Sequence, residues 1–172
     1  MAKVKVLKAQ SISYDCIVCG TENALGLKCR FYELETGELA GVTTPRHQHQ
    51  SYPGRVHGGI SAALLDETIG RAVNIGEPNA WGVTIDISVK YKKPVPYDQP
   101  VIILGRLTRN SRMLFEGEGE IILPNGEVAA TATGKYMKMP IEKIAGTDGL
   151  DFGWRLPEDD VPAELEIPEK EK

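Results

Sequence analysis

The sequence has no excess of positive charge: 20 Lys and Arg stand against 24 Asp and Glu, a formal charge of −4. That argues against a general nucleic-acid binder, which would show a basic surplus. No apolar run approaches the ~20 residues that span a bilayer. Residues 1–6 alternate lysine with valine and lack the apolar centre of a signal peptide. There is no G-x-S-x-G elbow to mark a serine hydrolase, and no glycine-rich loop of the nucleotide-binding type. Cysteine is scarce and odd in number, three in all, which suits a reducing compartment better than a disulfide framework. The expectation is a cytoplasmic protein, with neither nucleic acid nor membrane as partner. At 172 residues and 41% apolar content it can build one proper hydrophobic core.

Cys16 and Cys19 form a C-x-x-C ahead of Gly20, with Cys29 further on. A zinc knuckle needs about four ligands, and His47 and His49 would complete one only if the fold happened to bring them in. A redox C-x-x-C usually opens a helix, whereas Gly20-Thr21-Glu22-Asn23 reads as a turn. The expected role is that of small buried thiols bracing that turn, with no metal and no organic cofactor.

The chemistry-bearing stretch begins at His57-Gly58-Gly59. Six residues follow, 60–65, with no charge and a single hydroxyl, Ser61, and then come Asp66 and Glu67. A surface helix would show a polar face at a 3.6-residue period, so most of this circumference should be covered. A carboxylate at the end of such a run is costly to bury and is either partnered or kept for chemistry. The double glycine strips side chains from the first helical turn, where unpaired backbone N–H groups can hold a carbonyl oxygen. Glu67 is rotated by about 100° from Asp66 and cannot aim at the same point, so it reads as structural.

Residues 26–35 and 39–44 read as strands around the turn Thr36-Gly37-Glu38, and a polar loop precedes a helix from Gly58 to about Asn74. Residues 80–91 alternate, with Val83, Ile85, Ile87, Val89 and Tyr91 on one face and Thr84, Asp86, Ser88 and Lys90 on the other. Strands at 100–107, 113–123 and 127–139 follow, the last two joined at Pro124-Asn125-Gly126. The order predicts an α+β fold, an antiparallel sheet wrapped around one central helix, over residues 1–146. Residues 147–172 read as an acidic, peripheral extension docked by Phe152 and Trp154. One curved sheet covers such a helix poorly and leaves exposed edges, which favours a homodimer or a dimer of dimers, a homotetramer.

His57-Gly58-Gly59 with Leu65-Asp66, then Gly82-Val83-Thr84 and the strand after it, resembles the hotdog-fold acyl-CoA thioesterases of the phenylacetic-acid-degradation type. Cys16-Ile17-Val18-Cys19-Gly20 and Pro53-Gly54-Arg55-Val56 resemble a bacterial branch of the same family. The resemblance implies a hotdog fold and hydrolysis of an aryl- or acyl-CoA thioester. The Gly58 N–H would polarise the thioester carbonyl, Asp66 would act as general base on water or as nucleophile, and Thr84 would orient the water or the carboxylate. His57 would shape the turn and hydrogen bond near the thioester; Gly59, second of the two glycines at the first helical turn, counts with the substrate-binding residues. Many members carry an Asn where this chain has Ser51; Gln50 beside it could reach further to replace it.

Eight residues of helix put Gly58 and Asp66 about 12 Å apart, too far to serve one thioester carbon. Two antiparallel helices across a dyad would bring Gly58 of one subunit to Asp66 and Thr84 of the other. For the CoA phosphates the candidates are Lys90, Lys92, Lys93, Arg109 and Arg112. Two alternatives stand: a non-catalytic acyl-CoA-binding hotdog module, disfavoured by an intact Asp66 and Thr84, and a thioester hydratase or dehydratase. The latter pairs a carboxylate with histidine, and no histidine follows Asp66.

Overall fold

The computed structural model describes residues 1–145 and 154–169. Its eight strands are β1 (Ala2–Ala9), β2 (Arg30–Leu34), β3 (Leu39–Thr43), β4 (Gly82–Tyr91), β5 (Val101–Asn110), β6 (Leu114–Ile122), β7 (Val128–Lys138) and β8 (Glu164–Ile167). They form one antiparallel sheet in the order β4-β7-β6-β5-β3-β2-β1-β8. The long helix α1 (Gly58–Arg71) lies against the inner face and runs on into a single 3₁₀ turn, Ala72–Ile75; α2 (Ile141–Ala145) is one short turn. This is the hotdog arrangement expected from the sequence. No helix among the described residues is long and apolar enough to cross a membrane.

The helix sits close because the strands beneath it carry glycine. A Cβ at Gly105 would lie 3.0 Å from the Thr68 carbonyl oxygen, and one at Gly117 would lie 2.7 Å from the Ile69 side chain. Ser61, Leu64, Leu65, Thr68 and Ile69 form the buried stripe, packing with Phe31, Leu39, Ile103, Phe115 and Ile121. Their successive spacings of three, one, three and one are those of one helical face. Ala62, Ala63, Asp66, Glu67 and Gly70 on the other flank are partly buried. No residue from 60 to 71 is exposed, so most of the helix circumference is covered, as the sequence predicts, with this second flank covered least.

A second, smaller core lies on the outer face, where Tyr32, Leu34, Ala40, Leu104 and Ile122 meet Val6 and Ile167. It exists because β8 pairs with the first half of β1, Ala2 opposite Ile167 and Lys5 opposite Glu164. The described part of the acidic extension is thus built into the sheet. Trp154 packs on Trp81 with ring centroids 5.1 Å apart, and the Arg71 guanidinium lies 4.6 Å from the Trp154 ring. Phe152, the other expected anchor, lies outside the described residues, as do residues 170–172.

Sheet register decides which side chains reach the helix. In β4, Thr84 pairs with Tyr136 but Asp86 pairs with Lys135, leaving Ile85 as the extra residue of a bulge. A bulge switches the alternation. Thr84 therefore faces the helix before it, and Ile87, Val89 and Tyr91 face the helix after it. Strict alternation had placed Thr84 on the opposite face with Asp86 and Ser88, and the bulge corrects that.

Candidate active site

Asp66 is held from two strands. Thr84 Oγ1 donates between its two carboxylate oxygens at 3.0 and 3.2 Å, and the Tyr136 hydroxyl lies 3.1 Å from Oδ1 and from the Asp66 carbonyl. Burial pushes the Asp66 carboxyl above its ordinary value; the hydroxyls of Thr84 and Tyr136 pull it back, and the Glu67 charge adds a further push upward. The same carboxylate, after burial, pushes the Tyr136 phenol up, so this hydroxyl stays a donor at neutral pH.

Tyr136 was invisible to sequence reasoning, where an aromatic residue in a strand is indistinguishable from core. Its ring stacks on Phe115, centroids 4.9 Å apart and planes 8° from parallel. It lies flat because Gly134, two residues earlier on the same face, leaves room: a Cβ there would sit 2.6 Å from the phenol oxygen. Aromatic-two-after-glycine on a strand facing an acid is the signal that could have found it.

Both hydroxyls stabilise the ionised form, so removing either raises the Asp66 pKa further. An aspartate acting as base works only when ionised, and its activity appears as pH rises through that raised value. In Tyr136→Phe and Thr84→Val the acidic limb of kcat/KM should therefore move to higher pH, as read from pH–rate profiles on one substrate. A limb at the wild-type position in both variants would detach it from Asp66.

At the start of α1, His57 is the N-cap: its Nδ1 accepts from the Gly59 N–H at 2.9 Å, and its carbonyl accepts from Ile60 and Ser61. The imidazole is thereby used to fix the turn. The Gly58 N–H bonds to no described residue, while the Gly58 carbonyl accepts from the Tyr91 hydroxyl at 2.9 Å. This bare donor opens onto a groove of about 350 Å³ whose walls include Ser51, Arg55, Gly58, Tyr91, Lys92 and Lys93. Gly58 opens the helix beside Tyr91, and Asp66 lies eight residues along it beside Thr84.

The remaining expected site residues divide. Ser51 lines the groove, but the Gln50 amide is turned onto His47 Nε2 at 3.1 Å and is no part of its wall. Among the five cations, Lys92 and Lys93 flank Gly58, and Lys93 is also paired with Glu127 at 2.8 Å. Lys90 points to the outer face of the sheet beside Arg106. Arg109, opposite Glu116, and Arg112 lie at the far end of the sheet. One subunit does not bring these five together, because alternation and hairpin direction send them to different surfaces. Arg55, which sequence reasoning passed over, joins Lys92 instead.

No zinc set forms from the histidines. His49 is buried, accepting from the Arg46 N–H at 2.9 Å and donating to the Leu25 carbonyl at 2.8 Å. Among the described residues the only cluster of metal-ligand type is Cys16, Cys19 and Glu67, with ligand atoms within 4.8 Å of one another. Glu67 there is bound to Arg71 at 2.8 Å, on a different flank of α1 from Asp66.

Residues 53–130 match the sequence profile of the Thioesterase superfamily. The chain is 28% identical over 67 residues to acyl-coenzyme A thioesterase 13 of Mus musculus, covering 39% of this chain and 48% of that one; it thus spans about half the length of that relative. Among solved structures, protein RHA08564, a thioesterase superfamily protein, is 31% identical with a TM-score of 0.67, over 73% of this chain and 61% of that chain. The E. coli PaaI protein from the phenylacetic acid degradation operon has the same fold at 16% identity, TM-score 0.60, over 66% of this chain and 80% of that chain. Residues 53–130 thus match the Thioesterase superfamily profile, and the hotdog fold built on them is the fold of these solved structures.

Proposed function

We propose that this protein hydrolyses aryl- or acyl-CoA thioesters at sites shared between the two subunits of a homodimer. The carrying observation is the pairing of an acid raised by burial, Asp66 under two hydroxyl donors, with a bare helix N-terminus at Gly58. A thioester is already activated, so what its hydrolysis needs is a placed water and a donor for the developing oxyanion. Asp66 takes a proton from water as its oxygen attacks the carbonyl carbon. The Gly58 N–H of the other subunit holds the oxyanion. Collapse breaks the C–S bond, and the departing CoA thiolate receives the proton from Asp66. Arg55 and Lys92 on the groove rim suit the CoA phosphates.

What one chain leaves undone supports the dimer. β4 is an edge strand whose Val83, Ile85 and Tyr91 are 38, 51 and 57% exposed, and the flank of α1 beside it is half-covered. Antiparallel pairing of β4 with a second β4 would hide both. It would also bring Gly58 of each chain toward Asp66 of the other, closing a gap that one helix cannot close.

The test is release of free CoA thiol from a panel of aryl- and alkyl-CoA esters. The proposal predicts turnover on at least one class. Binding of the esters without any turnover would instead support a non-catalytic acyl-CoA-binding module.

A further inference from the structure

The cysteine pair lies outside the site described above and is arranged for chemistry of its own. Cys16 and Cys19 occupy a tight turn closed by the Gly20 N–H donating to the Cys16 carbonyl at 2.8 Å. A Cβ at position 20 would collide with that oxygen and with the Tyr14 carbonyl, so glycine is required to make the turn. The turn aims two backbone donors at one sulfur: the N–H groups of Val18 and Cys19 lie 3.3 and 3.4 Å from Cys16 Sγ. These are the groups that a helix N-terminus supplies in other C-x-x-C sites, here furnished without a helix. Cys16 is partly accessible, whereas Cys19 is fully buried behind it. Arg71 brings its guanidinium to 3.2 Å from Cys19 Sγ and is fixed there by Glu67, the Ser11 carbonyl and the Phe31 ring.

We propose that Cys16 and Cys19 are a reversible thiol-oxidation site, closed to a disulfide by hydroperoxides and reopened by small thiols. The two sulfurs lie within 4.8 Å, and side-chain rotation in the turn brings them to the ~2.05 Å of an S–S bond. Cys16 is the attacking sulfur. The Cys19 thiol, followed by the backbone donors, draws the Cys16 thiol down to about 6 against burial and the Glu67 charge. Cys19, which donates to Cys16 and is buried, is pushed up and keeps its proton. The Cys16 thiolate attacks one oxygen of ROOH; an S–O bond forms, the O–O bond breaks, and the alkoxide leaves and is protonated to ROH. Cys19 then attacks the Cys16 sulfenic acid; the S–S bond forms, the S–O bond breaks, and the Cys19 proton leaves with the hydroxyl as water. The sum is two thiols and one hydroperoxide giving one disulfide, one alcohol and one water.

The same three groups could hold a thiophilic cation, but Arg71 already supplies positive charge to Glu67 and Cys19, which favours oxidation over metal. Nothing in this inference depends on the thioesterase reading. The experiment uses the reduced wild-type chain treated with hydrogen peroxide, quenched by alkylation and mapped by peptide mass spectrometry. The expected product is a Cys16–Cys19 linked peptide lighter by two hydrogens, with Cys29 still alkylated and both thiols restored by dithiothreitol. In Cys19→Ser the linked product should vanish and oxygen adducts should appear on Cys16. Oxygen adducts on wild-type Cys16 without a disulfide, a bridge to Cys29, or no reaction would each overturn the proposal. So would protein-bound zinc that shields both thiols until it is chelated.

Discussion

Asp66→Asn is expected to lower kcat on any hydrolysed acyl-CoA by about 10²–10⁴-fold, the range associated with losing a positioned general base. The asparagine keeps the size of the side chain and one oxygen for the Thr84 hydroxyl, so loss of activity separates from loss of structure. Stability supplies the control. A folded-state pKa raised by burial means that ionising Asp66 opposes folding. Its favourable contribution is present while the group is protonated and is lost as pH rises through the folded value. At neutral pH the asparagine removes that cost, so the thermal midpoint of Asp66→Asn should be no lower than that of wild type. Full activity in the folded variant would remove Asp66 from the chemistry.

The second large effect is expected at Gly58, where proline removes the N–H and little else. Proline is well placed at the first helical position. The preceding His57 already has φ −61 and ψ 138, which suits a residue before proline. A Cβ at Gly58 would meet the Tyr91 ring at 3.5 Å, ordinary contact. Gly58→Pro should therefore keep the fold while losing about 10²–10³-fold in kcat, the cost of one oxyanion donor. Gly58→Ala, which keeps the N–H, should retain most of the rate. A proline variant as active as the alanine variant would place the oxyanion elsewhere.

What was legible in the sequence was what local chemistry fixes. The bare helix start, the acid within an apolar run and the turns at Gly37 and Gly126, with φ of 81 and 88°, all follow from residue type and spacing. The face of Thr84 did not, because a bulge at Ile85 is set by pairing with β7. Tyr136 escaped for a related reason: its partner lies 70 residues away and its slot depends on Gly134 and Gly70. The cations form one set in the sequence because they cluster near strand ends. Hairpin geometry separates Lys92 from Arg109, and side-chain alternation turns Lys90 to the outer surface. The C-terminal acidic stretch looked peripheral by charge, yet Leu165 and Ile167 alternate with its glutamates and give β8 an apolar face.

The central claim is a site assembled from Gly58 of one subunit and Asp66 of the other, and mixed dimers test it most directly. Asp66→Asn and Gly58→Pro chains, each inactive as a homodimer, would be unfolded together, refolded and assayed for CoA release. If the site is shared, the mixed dimer carries one site with both defects and one site with neither, so activity returns to about half that of wild type per mixed dimer. If Gly58 and Asp66 act within the same chain, every site in the mixture keeps a defect. Activity that stays at the level of the separate variants, in dimers shown to have exchanged, would contradict the account.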